Sequence, residues 1–374
     1  MSQPPTRTVV CRITDVRRGR TAPDVGYEIL LSIEEVAYPA PTATDVAQRL
    51  ERIQRARAYI FLDLGPGNVI RSFRLAHTGF VRRVTRAEHG YYVQLEDDAS
   101  AHFIALGPDT TAIIETILSA QHAHRPIALR TATVCEPVIA VAVVPELLGR
   151  LDGPVTLAPD LDASSITTVS YAEAVQYFNL LAGFTYPKHP DDPYIATYWI
   201  VSGCQARAQR FCQILHTLDP AVRPAKKWAW AGGEFMAVEP PNMPCCRIGF
   251  DVHVAVALRA GDCDGYYVLD HALFAVPVTE DVWLSKLVHP AKQSEVSEAG
   301  TYIWARPDEP PRREIDNESE TALRYGRIAQ EEMIHCYGPP PYHSCFITTH
   351  AAIREWTDRA PGSAGAEGKR YPLV

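Results

Sequence analysis

"ATYWIVSGCQARAQRFCQIL", residues 196–215, runs from aromatic and β-branched residues through Ser202 and Gly203 to Cys204, where its periodicity changes. From Cys204 onward, Ala208, Phe211, Cys212, Leu215 and Leu218 recur at the spacing of one helix face, which places Arg207 and Arg210 on the other side. Ser202 and Gly203 suit a turn or cap, so Cys204 is expected in the first turn. Backbone N–H groups and the positive end of the helix dipole favour a thiolate there. The same N–H groups can hold an oxyanion when that thiolate attacks a carbonyl. A cysteine at such a junction is also ordinary core filler, and it gains chemical meaning only beside a base.

The stretch "GFDVHVAVALRAGDCDGYYVLDHALF", residues 249–274, supplies one. It reads as a hairpin in which Val252, Val254, Val256 and Leu258 share one face. His253, Ala255 and Ala257 share the other, with small neighbours that leave the imidazole accessible. If the turn "AGDCDG" centres between Gly261 and Asp262, His253 lies directly opposite Asp270, with Cβ atoms ~4.5–5.5 Å apart. The carboxylate would then orient the ring.

Outward from these elements, residues 1–150 read as a β-rich N-terminal domain with two helices. The strand candidates are "TVVCRITDV", "YEILLSIEEVAY", "AYIFLDLG", "GYYVQLED", "AHFIAL", "PIALRTATV" and "VIAVAVVP". One helix carries Val46, Leu50 and Ile53 on a face. The other starts with Asp109 as N-cap and buries Ile113, Ile114, Ile117 and Leu118. A strand, strand, helix, strand order is discernible twice. Residues 151–165 gather Gly, Pro, Asp and Ser and form a linker candidate. A helix at "SYAEAVQYFNLLAGF" follows, with Ala172, Val175, Phe178 and Leu181 spaced to bury one side; the proline-broken "TYPKHPDDPY" leads to the opening stretch. A second domain is expected over 166–350 and a flexible tail over 358–374. The fold class expected is α+β.

Composition excludes several classes. The 374 residues carry a net charge of −8, which argues against a general nucleic-acid binder. No apolar run approaches the ~20 residues that span a bilayer. The N-terminus lacks the apolar core of a secretory signal, so a cytoplasmic location is favoured, with export by another route left open. Nine cysteines are too few per residue for a disulfide scaffold and read mainly as buried small side chains. In "HCYGPPPYHSCF", His335, Cys336, His343 and Cys345 lack knuckle-like spacing, so no zinc site is expected. "PAKKWAW" is a short basic spot, and "QHAHR" a solvated helix end.

Around Cys204, His253 and Asp270 the sequence resembles the protein-glutamine glutaminases. The likeness rests on "GCQARAQRFCQIL", on "KKWAWAGG", on the Cys-Cys pair and His-Val-Ala strand of "CCRIGFDVHVAVAL", on "DHALFAVPVTEDVW", and on "TYIWARPDEPPRREIDN". It covers roughly residues 170–320. It implies a papain- or transglutaminase-like core that hydrolyses glutamine side chains of a protein or peptide to glutamate, without metal or organic cofactor. Cys204 would be nucleophile, His253 general base and acid, and Asp270 the orienting carboxylate. Trp228, Trp230 and Trp283 could wall a slot for the glutamine side chain, or be core aromatics. The resemblance departs at His271, where the family tends to have proline, and at Gln205, where it has an aromatic. It also implies an N-terminal segment that is either pro-domain-like or a docking module, and leaves open whether Cys245 or Cys246 is disulfide-bonded. Acyl transfer to an amine, peptide-bond cleavage and a non-catalytic binding module are the competing readings.

Overall fold

The structure, a computed structural model, describes residues 7–18, 27–40, 44–55, 57–96, 101–132, 137–146, 166–185, 194–200, 202–231, 235–241, 248–289, 292–315 and 317–341. The linker candidate, the proline-broken loop, Cys245, Cys246 and the C-terminal tail lie outside these residues.

The chain begins with β1 (Arg7–Arg18), β2 (Tyr27–Leu31), β3 (Glu34–Ala40), α1 (Thr44–Arg55), β4 (Tyr59–Leu64), β5 (Ile70–Leu75), β6 (His77–Gly79), β7 (Val81–Ala87), β8 (Gly90–Leu95), β9 (Ala101–Ala105), α2 (Thr110–His122), β10 (Ile127–Thr131) and β11 (Val138–Val143). It continues with β12 (Thr168–Val169), α3 (Tyr171–Ala182), α4 (Cys204–Leu218), β13 (Ala225–Trp230), β14 (Met236–Val238), β15 (Ile248–Phe250), β16 (Val252–Ala260), β17 (Tyr266–Leu269), β18 (Val278–Thr279), α5 (Glu280–Lys286), β19 (Gln293–Glu298), β20 (Thr301–Ile303), β21 (Arg312–Arg313) and α6 (Glu318–Tyr337). Helices and sheets are mixed as an α+β chain requires.

The first half builds a sheet of order β3-β2-β1-β4-β5, under which α1 buries Leu50 and Ile53. Strands β7-β8-β9 and β11-β10-β6 form two further sheets. The expected duplication survives only as element order, three strands before each helix. The pairing differs, because β4 joins β1 whereas β10 joins β6. Expected strand 27–38 breaks at Ser32 and Ile33 into β2 and β3. Helix α2 starts after Asp109, whose side chain makes no capping hydrogen bond. Thr110 Oγ1 instead accepts from Gly107 N at 2.7 Å and donates to the Ala105 carbonyl. Leu118, expected inside, is exposed, and Ala120 takes the inner position.

The second half is organised on the sheet β18-β17-β16-β13-β19, with β12 pairing in parallel with the end of β16. Helix α3 opens with a capping box between Ser170 and Glu173. Of the expected face, Phe178 and Leu181 are buried, Val175 is half-buried and Ala172 is exposed, with Ala174 completing the buried side. The largest hydrophobic cluster joins α3, α4, β13, β16, β17, α5 and α6. Helix α6 serves two cores: Leu323, Ala329 and Met333 enter this cluster, and Ile328 enters the core of the β1 sheet.

Candidate active site

Gly203 turns the chain into α4 with φ +76° and ψ 20°, a left-handed conformation open to glycine without steric penalty. Ser202 does not cap the helix; its Oγ accepts from Trp199 Nε1 at 3.1 Å. The irregular segment before α4 is pinned from α6, where Gln330 Oε1 accepts from the backbone N–H groups of Tyr198 (2.8 Å) and Trp199 (3.3 Å). Cys204 thus enters the first turn at a fixed point and is buried, its thiol directed to Gln205 Oε1 at 3.6 Å.

Helix α4 is not the one-sided helix that the apolar spacing implied. Gln205, Arg207 and Gln209 are buried along with the apolar face, whereas Leu218 is exposed. Arg207, expected on the solvent side, instead donates through Nη1 to the carbonyls of Trp199 (2.9 Å) and Ser202 (2.7 Å). Residues three apart on a helix share a face, so that spacing from Cys204 was the signal for its location. Arg210 does reach a partly open surface, paired with Glu320 at 2.6 Å.

The hairpin brings His253 and Asp270 together, although not in the expected register. Val256 pairs with Leu269 and Ala257 with Val268, so Asp270, just past β17, falls level with Ala255. The turn extends to Gly265, whose carbonyl accepts from Ala260 N, and its centre shifts one residue further along. That moves the partner by two positions, which preserves the face; a one-residue slip would have reversed it. The side chains meet diagonally, His253 Nε2–H donating to Asp270 Oδ2 at 2.8 Å.

Asp270 is held from several directions. Trp283 Nε1 donates to Oδ2 at 2.9 Å, and Ala272 N donates to Oδ1 at 3.1 Å. The Asp270 carbonyl accepts from the N–H groups of Leu273 and Phe274, closing the loop on itself. His271 fixes that loop to α3: its Nε2 donates to the Phe178 carbonyl at 2.9 Å and its ring stacks on Phe178 at 3.8 Å. Rings of Phe250 and Trp283 stack near His253 at 5.0 and 5.7 Å. The small neighbours Ala255 and Ala257 do not leave the imidazole open. Both faces of β16 are covered, and His253 is 1% exposed, Cys204 2% and Asp270 5%.

Burial opposes a charged imidazole at His253. The Asp270 charge and hydrogen bond, helped by the neighbouring Cys204 sulfur, outweigh it and raise the ring to about 9. Burial likewise opposes the Asp270 carboxylate, but His253, Trp283 and Arg207 together hold it below the usual range. With Nε2 committed to Asp270, Nδ1 is the ring nitrogen left for Cys204. The structure therefore gathers the three residues singled out from the sequence.

The aromatic slot is not present as expected. Trp228 and Trp230 are core residues whose indole N–H groups bond Ser297 Oγ (2.8 Å) and the Trp304 carbonyl (2.7 Å). Trp283 is a donor to Asp270; no sequence spacing pointed to that role. Lys226 and Lys227, read as a basic surface spot, are buried in β13. Lys226 Nζ donates to Gln209 Oε1 and to the Thr301 carbonyl, and burial depresses it to about 8. Lys227 pairs with Glu280 at 3.3 Å. Cys11, Cys204, Cys212 and Cys263 are free thiols. Of the His335, Cys336, His343 and Cys345 group, only the His335 side chain is described, exposed in the last turn of α6. The described residues contain no group of three or more metal-ligating side chains.

Side chains of the first half reach the surroundings of this region. Asp251, two residues before His253, accepts from Gln94 Nε2 at 2.8 Å and lies 3.5 Å from Arg83 and 3.9 Å from Arg82. His77 stacks on Trp199, with ring centroids 5.9 Å apart.

Residues 174–287 match the family model described as Glutaminase, so the likeness to the protein glutaminases holds over the segment that carries all three residues. Among solved structures, a crystal structure of pro-protein-glutaminase is 16% identical, with a TM-score of 0.49, covering 75% of this chain and 97% of that one. A crystal structure of protein-glutaminase is 17% identical at a TM-score of 0.37, covering 54% of this chain and 97% of that one. The NMR structure of protein-glutaminase from Chryseobacterium proteolyticum is 19% identical at 0.35, covering 42% and 85%. No curated protein matches the chain.

Proposed function

We propose that this chain is a cysteine-dependent amidohydrolase that converts glutamine side chains of a protein or peptide to glutamate. The observation that carries the proposal is the 2.8 Å His253–Asp270 hydrogen bond beside a cysteine at the head of a buried helix, inside the segment that matches the glutaminase family. Cys204 is the nucleophile, His253 the acid and base, and Asp270 the orienting carboxylate, in a papain- or transglutaminase-like arrangement of helix and sheet.

In this mechanism the Cys204 thiolate attacks the amide carbon, and the oxygen charge is taken by N–H groups at the start of α4. Losing one such donor typically lowers the rate by ~10²–10³. His253, charged because Asp270 faces it, passes the Nδ1 proton to the departing nitrogen, and ammonia leaves a thioester. Water then gives a proton to Nδ1 and its oxygen to the acyl carbon, releasing glutamate and the thiolate. The buried side chains require local movement before a substrate glutamine can enter. We further propose that residues 1–150 act as a docking or pro-segment-like unit on the region 166–350.

The same burial favours a second reading. A site that keeps water out gives an amine acceptor the advantage, and the thioester would then pass to an amine. Mass spectrometry of glutamine peptides, with and without an added amine, tests both. The mass change of amide-to-acid exchange, abolished in Cys204→Ser, supports hydrolysis. An amine adduct supports transfer. Peptide fragments, or peptides untouched by a wild-type protein whose Cys204 resists iodoacetamide, overturn both.

A further inference from the structure

Arg207 is a buried cation that hydrogen-bonds two neutral groups, the carbonyls of Trp199 and Ser202. Its Nη2 has no hydrogen-bond partner among the described residues. A guanidinium away from water costs several kcal/mol unless opposite charge lies close. The acidic groups whose charges reach it are Cys204, one turn back on the same helix face, and Asp270. Asp270 is shared with His253.

A proton moved from Cys204 to His253 leaves the net charge of these four groups unchanged, so Arg207 acts through where its charge sits. Its cation lies one turn from the sulfur and acts on Cys204 and Asp270. An opposite charge that close favours the ionised form of the thiol, and with it the imidazolium–thiolate pair. The carbonyl bonds serve the same end mechanically, because they tie residues 199 and 202 to the turn that carries the sulfur.

We infer that Arg207 is a positioning residue whose buried charge, one turn from the sulfur, favours the imidazolium–thiolate pair over the thiol–imidazole pair while its carbonyl bonds clamp the Trp199–Cys204 turn. This rests on the amidohydrolase reading of Cys204. The test follows the ultraviolet absorbance of the Cys204 thiolate against pH in the full chain, with Cys204→Ser as the blank, alongside ammonia release from a glutamine peptide.

In Arg207→Gln the thiolate titration should move up by roughly one to three pH units, the effect expected on losing a nearby opposite charge. In Arg207→Lys, which keeps the charge but is too short to set its nitrogen where Nη1 bonds both carbonyls, the titration should stay as in wild type while kcat falls and KM does not change. A folded Arg207→Gln protein with a wild-type titration overturns the inference, since a merely structural arginine would alter stability alone. If Arg207→Gln does not fold, Arg207→Lys decides: an unmoved titration with reduced kcat supports the inference, and a displaced titration or unchanged kcat overturns it. The thiolate measurement needs no substrate. A wild-type chain that releases no ammonia yet shows the Arg207-dependent titration would therefore sink the amidohydrolase reading and leave this one standing.

Discussion

Asp270 Oδ2 takes two hydrogen bonds, one from His253 and one from Trp283, and the second donor is the easier to remove cleanly. Trp283→Phe keeps most of the packing beside the imidazole but leaves the carboxylate one donor short. A hydrogen bond to a charged group contributes about 1.5–3 kcal/mol, so kcat/KM for ammonia release should fall roughly ten- to hundredfold with little change in far-ultraviolet circular dichroism. In the proposed mechanism Asp270 also sets the alkaline limit of activity. His253 is raised to about 9, so its proton is available to the leaving nitrogen below that pH and is lost above it. The rate should therefore decline as pH rises through about 9. In Asp270→Asn, where the charge opposite the ring is gone, that limb should move acidward by roughly one to three units; a limb that stays in place would detach the ring's titration from Asp270. Spacing singled out Cys204 and His253 because each lies on a regular element with a readable face, and Asp270 because it directly follows one. Arg207 and Trp283 were not legible as partners. A charged residue on a helix reads as solvent-facing until both sides of the helix are known to be covered, and an indole reaching from α5 leaves no periodic trace.

Among the elements, β13 shows where pattern reading fails. "AKKWAW" looks half polar, yet all six residues are buried, because β16 and β19 flank it and helices cover the sheet. The consequence is measurable at Lys226, whose folded value of about 8 lies below its ordinary 10.5. Between those two pH values the unfolded chain binds the extra proton, so stability should rise with pH across that window, by on the order of 3 kcal/mol from this group. Chemical denaturation at pH 7.5–10.5 (roughly that window) should show the rise in wild type, and Lys226→Met should flatten it. Strands β5, β6 and β7 escaped sequence reading for a related reason. Arg71, Arg74, Arg82, Arg83 and Arg86 give "IRSFRL" and "VRRVTRA" the look of a charged connector, although the first residue of each, Ile70 and Val81, is buried. The hairpin was legible in its face and not its register, since hydrophobic alternation fixes parity while the turn fixes the count.

For the whole molecule, α6 is the element on which both halves depend. Its Ile328 packs into the β1-sheet core, and Arg49 and Arg52 of α1 pair with Glu332 and Glu331. Deleting residues 1–150 would expose that face, uncover Trp199 and leave Asp251 buried without Gln94, Arg82 and Arg83. The 166–350 fragment should be poorly soluble and lack a cooperative unfolding transition; a soluble fragment with full activity would mark the first half as dispensable. Because one helix is a wall of both cores and its Gln330 holds the segment leading to Cys204, heat should dissolve the halves together. Calorimetry of the intact chain should record a single endotherm. Leu50→Ala, far from the sulfur, should cost about 2–5 kcal/mol and lower that same peak, carrying thermal inactivation down with it rather than splitting off a separate early melt.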